Sequence, residues 1–144
     1  MAKFEVTLHS SMAVKDAFAY LAAFERAAEW DPGVAEGRRL TTGPPAIGTR
    51  FGIVARFLGR KVPLEYRITR LVPEALVELS AGSGAVRSVD EITFRPATSG
   101  STVTYRADLR LAGALGRVAD PLLGVAFGRI GRRAAAGLAR ALNP

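Results

Sequence analysis

The 144-residue chain is long enough to bury a hydrophobic core within one domain, and we treat residues 1–144 as that domain. It contains no cysteine and a single histidine, His9, which excludes disulfides, thiolate chemistry and Cys/His zinc sites and argues against Ser–His catalysis. We expect no metal and no cofactor. The net charge of +7 comes from arginines spread along the chain without interleaved aromatic residues, which argues against nucleic acid as a partner.

Targeting signals are missing from the sequence as given. No signal peptide precedes the first strand-like residues, and no uncharged run reaches the roughly 18 residues that a membrane helix needs. We therefore expect a cytoplasmic protein without a transmembrane segment, as a monomer or a homodimer.

The first part of the chain predicts a strand followed by two short helices. Apolar and polar residues alternate over Lys3–Leu8, as in a half-buried strand. Ser10 and Ser11 offer N-caps for a helix over Val14–Leu21, whose apolar residues recur at helical spacing. A second short helix over Phe24–Trp30 is expected to end at the sequence Asp-Pro-Gly that follows it.

The middle of the chain predicts consecutive strands. Gly37–Gly48 contains one glycine and two adjacent prolines in its interior, so it is expected to be a loop or an irregular edge. Apolar residues alternate over five segments: Phe51–Phe57, Val62–Ile68, Ala75–Ala81, Val86–Arg95 and Thr102–Leu111. The first two segments predict one hairpin and the next two a second hairpin. The fifth predicts a final strand, which follows a turn over Pro96–Ser101. Strands joined by short turns indicate an antiparallel sheet, so the fold class is α+β.

A long helix is predicted at the end of the chain. Asp120 is a good N-cap and Pro121 fits the first helical position, so we expect the helix to run from Pro121 to Leu142. Its apolar stripe contains few large residues and consists of Leu123, Phe127, Ile130, Ala134, Leu138 and Ala141. Its polar face carries Arg129, Arg132, Arg133 and Arg140. A helix with so little apolar bulk can lie on a sheet and leave a pocket, expected at roughly 300 Å³ or more. Ala134 and Gly137 are expected to face that pocket.

Four local strings resemble those of the START-like (SRPBCC) superfamily, which includes polyketide cyclase/dehydrases, the birch-pollen-allergen family and coenzyme-Q-binding proteins. The strings are Trp30–Val34, Ile47–Phe51, Pro96–Val103 and Ala119–Leu123. The resemblance covers essentially the whole chain. It implies a helix-grip fold, in which a curved antiparallel sheet wraps around the long C-terminal helix and two short helices follow the first strand. It also implies a deep apolar cavity that binds a hydrophobic small molecule, and some members of the superfamily add cyclase, dehydratase or hydrolytic chemistry.

The strand parity then selects candidate site residues. Tyr66, Asp90 and Tyr105 have the inward parity of their strands, meaning that they alternate in step with the apolar residues expected to face the core. Burial of Asp90 would raise its pKa and make it a candidate general acid or base. A bulge that turned Val89 inward would instead place Asp90 on the surface. Trp30 either borders the cavity mouth or anchors the packing. The residues expected to bind ligand are Trp30, Phe51, Ile53, Phe57, Leu64, Tyr66, Asp90, Ile92, Tyr105, Phe127, Ile130 and Ala134.

Two classes of function remain open from the sequence. The first is a carrier or sensor of a hydrophobic or aromatic small molecule such as a lipid, a quinone or a polyketide-like compound. The alternative is a cyclase/dehydratase-type enzyme with Tyr66, Asp90 and Tyr105 as its proton-handling and orienting groups. The shortage of groups that titrate near neutral pH favours the carrier. A third hypothesis is peripheral contact with an anionic membrane through the arginine face of the last helix.

Overall fold

Seven antiparallel strands and three helices form the fold, in a computed structural model that describes residues 2–57, 59–83, 86–111 and 113–144. Of residues 83, 86, 111 and 113–123 it describes the backbone only. The strands are β1 (Ala2–Ser10), β2 (Val34–Arg39), β3 (Arg50–Phe57), β4 (Arg60–Val72), β5 (Leu76–Ser83), β6 (Val86–Ala97) and β7 (Gly100–Leu111). The helices are α1 (Val14–Ala22), α2 (Ala27–Trp30) and α3 (Gly113–Ala141), and a 3₁₀ turn over Phe24–Arg26 precedes α2.

The strands form one sheet in the order β1-β7-β6-β5-β4-β3-β2. Every neighbouring pair is antiparallel. The sheet is curved, because side chains from β1, β3, β4, β6 and β7 line one cavity together with side chains from α3. The predicted α+β class is therefore confirmed, as are the curved sheet around the C-terminal helix and the two short helical segments after the first strand.

The register of β6 decides which side chains face inward. The pairing of β6 with β5 and with β7 shows no shift along its described length, so Ser88 and Asp90 are both buried on the inner face. Register shifts occur instead between Val34 and Glu36 in β2 and between Ile68 and Arg70 in β4. The alternative with a bulge in β6 and a surface-exposed Asp90 is therefore wrong.

One end of the sheet is closed by a packed core. Ala17 and Leu21 of α1 are buried, and the ring of Phe18 meets that of Phe94 edge to face with centroids 5.3 Å apart. Leu142, directly after α3, is fully buried in the same core. The cavity therefore lies away from α1.

The serine predicted to cap α1 holds the end of α3 instead. The N-cap position of α1 is Ala13, and no side chain caps it. The Ser10 hydroxyl donates to the carbonyl oxygen of Leu142 at 2.7 Å and accepts from the backbone N–H of Met12 at 3.0 Å. Carbonyl groups at a helix C-terminus have no partner within the helix. The carbonyl oxygen of Leu142 therefore accepts a hydrogen bond from the Ser10 hydroxyl, which the local sequence pattern predicts as a cap of α1.

The predicted start of the last helix is wrong. The helix α3 begins at Gly113, and Asp120 and Pro121 lie within it rather than at its start. The preceding residues include Ala114 and Leu115, which favour helix, and the local capping signal at Asp120 did not outweigh them. Leu123 of the predicted stripe lies outside the described side chains.

The first residues of Gly37–Gly48 belong to an irregular edge strand, one of the two alternatives predicted for this segment, whereas the last turn differs from the prediction. Gly37 to Arg39 belong to β2 and pair with β3 at the edge of the sheet, because backbone groups gain partners there despite the glycine. The turn predicted over Pro96–Ser101 is shorter, since Pro96 pairs with Ser101. Gly100 has a φ of +103°, and a Cβ there would collide with the carbonyl oxygen of Ser10. Ala97 pairs with Gly100, so the chain reverses within residues 98–99.

Candidate functional site

A cavity of about 240 Å³ lies between the inner face of the sheet and α3 and is partly open to solvent. It is smaller than the roughly 300 Å³ expected from the sequence. The structure brings together at this cavity ten of the twelve residues expected to bind ligand. They are Trp30, Ile53, Phe57, Leu64, Tyr66, Asp90, Tyr105, Phe127, Ile130 and Ala134.

Phe51 and Ile92 were predicted to line the cavity, but they do not. Both side chains face inward and are completely buried in the packed core. The ring of Phe51 packs edge to face against that of Phe24, with centroids 6.2 Å apart, so the 3₁₀ turn separates it from the cavity. Strand parity identifies the inner face of the sheet, but it does not tell which part of that face the helical segments cover.

Several lining residues were not predicted. Phe4 and Val6 have the inward parity of β1, which could have identified them, and Ser88 has the parity of Asp90. Asp31 lies in the bend after α2. No sequence periodicity marks a residue in such a bend, so only the folded chain shows that this carboxylate borders the cavity.

Polar side chains from β4, β6 and β7 meet on the cavity wall. We call Tyr66, Ser88, Asp90 and Tyr105 the polar cluster; all four are buried. The Ser88 hydroxyl donates to Oδ1 of Asp90 at 3.1 Å, and the Tyr105 hydroxyl donates to Oδ2. The Ser88 hydroxyl also interacts with that of Tyr66. Asp90 is thus the acceptor at the centre of the polar cluster.

Burial controls the ionisation of the polar cluster. Burial raises the pKa of Asp90 to about 6, against the lowering effect of the hydrogen bonds from Tyr105 and Ser88. The charge of Asp31 raises the pKa of Asp90 slightly further. Burial, and then the charge of Asp90, also raise the pKa values of Tyr66 and Tyr105 above their usual range. At neutral pH the cavity wall therefore holds an ionised carboxylate beside two protonated phenols.

Trp30 takes part in the packing and also lines the cavity. Its side chain is buried and lines the cavity, and its ring packs edge to face on that of Tyr105, with centroids 5.7 Å apart. Asp31 follows it, and burial raises the pKa of this carboxyl while a hydrogen bond from the Gly33 N–H lowers it. The last residue of α2 thus contributes an aromatic ring to the cavity, and the bend after α2 contributes a carboxylate.

The cavity opening carries an arginine. Arg56 lines the cavity, and its side chain is exposed. Its guanidinium donates to the carbonyl oxygen of Pro32 at 3.1 Å, and its backbone N–H donates to that of Gly33 at 2.6 Å. These bonds hold β3 against the bend after α2 and place a positive charge at the rim.

The small residues of α3 have two different roles. Ala134 lines the cavity, as predicted. Gly137 does not line the cavity, because it packs directly against α2: a Cβ at that position would collide with the carbonyl group of Trp30. Gly131 allows a similar close approach of the Phe4 ring. The expectation that Gly137 leaves empty space is therefore wrong; it lets α3 approach α2.

Other kinds of site have no support in the described part of the chain. No three histidine or acidic side chains there converge as metal ligands would. None of the helices there has a stretch that is both long and apolar enough to span a bilayer. The four arginines predicted on the polar face of α3 are all exposed.

Comparisons with known proteins identify relatives of this chain. A family model described as polyketide cyclase / dehydrase and lipid transport matches residues 1–143, whereas no match was found among curated proteins. A START superfamily protein from Mycobacterium smegmatis has a TM-score of 0.80 at 10% identity, covering 99% of this chain and 97% of that one. A protein from Thermus thermophilus has a TM-score of 0.77 at 15% identity, covering 98% and 95%.

A larger protein contains the same fold. The di-domain ARO/CYC BexL from the BE-7585A biosynthetic pathway has a TM-score of 0.74 at 14% identity, and the match covers 97% of this chain and 49% of that one. At these identities the similarity shows the fold alone. The fold that the sequence resemblance implied is therefore confirmed.

Proposed function

The chain belongs to the polyketide cyclase/dehydrase and lipid transport family, and from this premise we propose that it binds a small hydrophobic or aromatic molecule between the sheet and α3, as a carrier or sensor. The observation that carries the proposal is the cavity itself. It is lined mainly by apolar and aromatic side chains, and a few polar groups converge on one wall, which is the usual composition of a small-molecule site.

The cavity volume limits the size of the ligand. A dry apolar cavity of about 150 Å³ holds benzene, so about 240 Å³ accommodates a molecule of roughly two fused rings. A longer ligand would have to extend through the opening beside Arg56. The proposal therefore favours a compact ligand over a large multi-ring one.

The polar cluster supports a second candidate function, a cyclase/dehydratase-type enzyme. The specific observation is Asp90, a buried carboxyl with a pKa of about 6 that accepts hydrogen bonds from Ser88 and Tyr105. A carboxyl that titrates this close to neutrality can take up and return a proton. In this alternative Asp90 acts as general base and Tyr66 orients the substrate. The carrier remains the leading proposal, because general acid–base catalysis usually recruits groups that titrate near neutral pH, and the polar cluster offers a single carboxyl and two phenols whose pKa values are raised.

Native mass spectrometry of freshly purified protein tests the leading proposal. We expect a co-purified molecule of roughly two rings, released on denaturation. Trp30 is the single tryptophan of the chain, and it lines the cavity, so added hydrophobic compounds should change its fluorescence in a saturable way. A protein that retains no molecule and whose Trp30 emission responds to none of a panel of one- and two-ring compounds would contradict the proposal. Cytoplasmic location and the monomeric or dimeric state remain predictions.

A further inference from the structure

The charges at the cavity differ in sign between its wall and its rim. Two described lining residues carry carboxylates, Asp31 and Asp90, and Arg56 carries a guanidinium. Asp90 is buried, with 6% of its surface exposed, whereas Arg56 is exposed and bonded to the carbonyl of Pro32. Neither lysine nor histidine occurs among the lining residues that the structure describes. Negative charge therefore lies inside the cavity, and positive charge lies at its opening.

The hydrogen-bond donors of the wall are largely engaged. The O–H groups of Ser88 and Tyr105 both point at the carboxylate of Asp90. Each carboxylate oxygen has a further lone pair, and each hydroxyl oxygen can still accept. The Tyr66 hydroxyl, beside Ser88, can donate or accept. The wall thus presents more acceptors than donors, and its complement is a ligand that donates hydrogen bonds.

We propose that the cavity selects a compact arylalkylamine, bound as the ammonium ion with its N–H groups directed at Asp90, and discriminates against the carboxylate of the same shape. This inference rests on the proposed function, binding of a small hydrophobic molecule in this cavity. The aromatic rings of Trp30, Tyr66 and Tyr105 line the same space. Their faces attract a cation as well as the rings of the ligand.

The physical basis is the interaction of like and unlike charges where water is scarce. An ammonium group beside Asp90 gains a charge-assisted hydrogen bond. A ligand carboxylate in that place would meet a charge of the same sign and lose its hydration without a donor to replace the water. Its attraction to the exposed Arg56 is weak, because solvent screens it. A neutral alcohol, which donates one hydrogen bond without a charge, should lie between the two.

A series of three ligands of nearly equal shape isolates the effect of charge. We would measure binding of 2-naphthylmethylamine, 2-naphthalenemethanol and 2-naphthoate to the full chain by calorimetry at about pH 7.5, where the amine is a cation and the acid an anion. The expected order of affinity is amine, alcohol, carboxylate. The amine should bind at least about tenfold more tightly than the carboxylate.

A pair of variants then assigns the selectivity. Asp90→Asn should bring the affinities of the amine and the alcohol within about threefold of each other. Asp16→Asn removes an equal charge from an exposed position in the first turn of α1 and should leave the preference for the amine unchanged. The comparison of the three ligands on the unaltered protein stands even if Asp90→Asn does not fold.

Each other outcome overturns a defined part of the argument. Equal affinities for the three compounds would overturn the amine selectivity and leave the proposed function standing. Tightest binding of naphthoate, lost in Arg56→Gln, would show that the rim arginine sets the ligand class instead. Failure of all three to bind at up to about 1 mM, while other one- and two-ring compounds of the panel bind, would overturn this inference alone; failure of the whole panel would overturn the proposed function as well.

Discussion

The hydroxyl of Tyr105 on β7 donates a hydrogen bond to the carboxylate of Asp90 on the adjacent strand β6. The two residues are not paired directly, since Asp90 faces Ala107 and Tyr105 faces Ile92 in the register. They are diagonal neighbours on the inner face, a separation that a long aromatic side chain spans. The bond supplies a donor to a buried carboxylate, and it links the wall of the cavity to the ring that packs on Trp30.

Removing this donor should raise the pKa of Asp90. The hydrogen bond from Tyr105 lowers the pKa of Asp90 because it favours the ionised form, so Tyr105→Phe should move that pKa above about 6. Carboxyl-resolved NMR titration measures it. Tyr20→Phe is the matched control, because the Tyr20 hydroxyl bonds to Glu29 on the surface. A pKa of Asp90 that stays the same in Tyr105→Phe would contradict the hydrogen bond's role.

The stability of the fold should depend on the protonation of Asp90. Its pKa is about 6 in the folded chain and 3.8 ordinarily, so the folded state binds the proton more tightly. This contribution to stability is fully present below about pH 3.8 and is lost as the pH rises through about 6. Relative to Asp90→Asn, the free energy of unfolding of the unaltered protein should fall by on the order of 3 kcal/mol between about pH 4 and pH 7. Denaturant unfolding at both pH values tests this, and a constant difference between the two proteins would refute it.

The same substitution separates an enzyme from a carrier. Asp90→Asn keeps the shape of the side chain and removes its titration. An enzyme that uses Asp90 as general base should lose about 10²-fold or more in turnover while still binding its ligand. A carrier of a neutral ligand should keep its affinity or bind slightly more tightly, because a charge has left an apolar wall. The measurement needs only the molecule identified by mass spectrometry and an assay of its conversion.

Filling the cavity from α3 should abolish binding without unfolding the protein. Ala134 lines the cavity, so Ala134→Phe should weaken binding of a hydrophobic dye at least about tenfold. Because the ring enters empty space, the free energy of unfolding should change by less than the 1–3 kcal/mol that overpacking of a tight core typically costs. Ala136→Phe, at an exposed position of the same helix, is the control. Retained dye binding in Ala134→Phe together with a large loss of stability would mean that Ala134 faces packed core.

Two glycines of α3 should respond oppositely to the same substitution. A Cβ on Gly137 would collide with the carbonyl of Trp30, whereas a Cβ on Gly124 meets nothing within 4 Å. Gly124→Ala should stabilise the protein by up to about 1 kcal/mol, the intrinsic helix preference of alanine over glycine. Gly137→Ala should destabilise it by about 2 kcal/mol, since α3 must shift away from α2. Chemical denaturation of both variants checks the signs, and equal signs would disprove the close contact.

The sequence by itself determined most of the strands, the presence of a long last helix and the inner face of the sheet. Alternation in the strands placed Tyr66, Asp90 and Tyr105 on one face, because side chains in a strand alternate with a period of two and the unshifted register of β6 preserves that parity. The resemblance in local strings added the curved sheet and the cavity. Both the strand alternation and the local strings can be recognised without knowing which distant residues are in contact.

Only the tertiary structure decided where the cavity ends and what its polar groups contact. Phe51 and Ile92 share the inward parity but lie in packed core, because the 3₁₀ turn and α1 cover their part of the sheet. Asp31 reaches the cavity from a bend without periodicity. The Ser10 hydroxyl bonds to the carbonyl of Leu142, 132 residues away, rather than to the helix beside it. A one-dimensional pattern records which face a side chain takes, whereas the partner it meets there depends on how the elements pack in three dimensions.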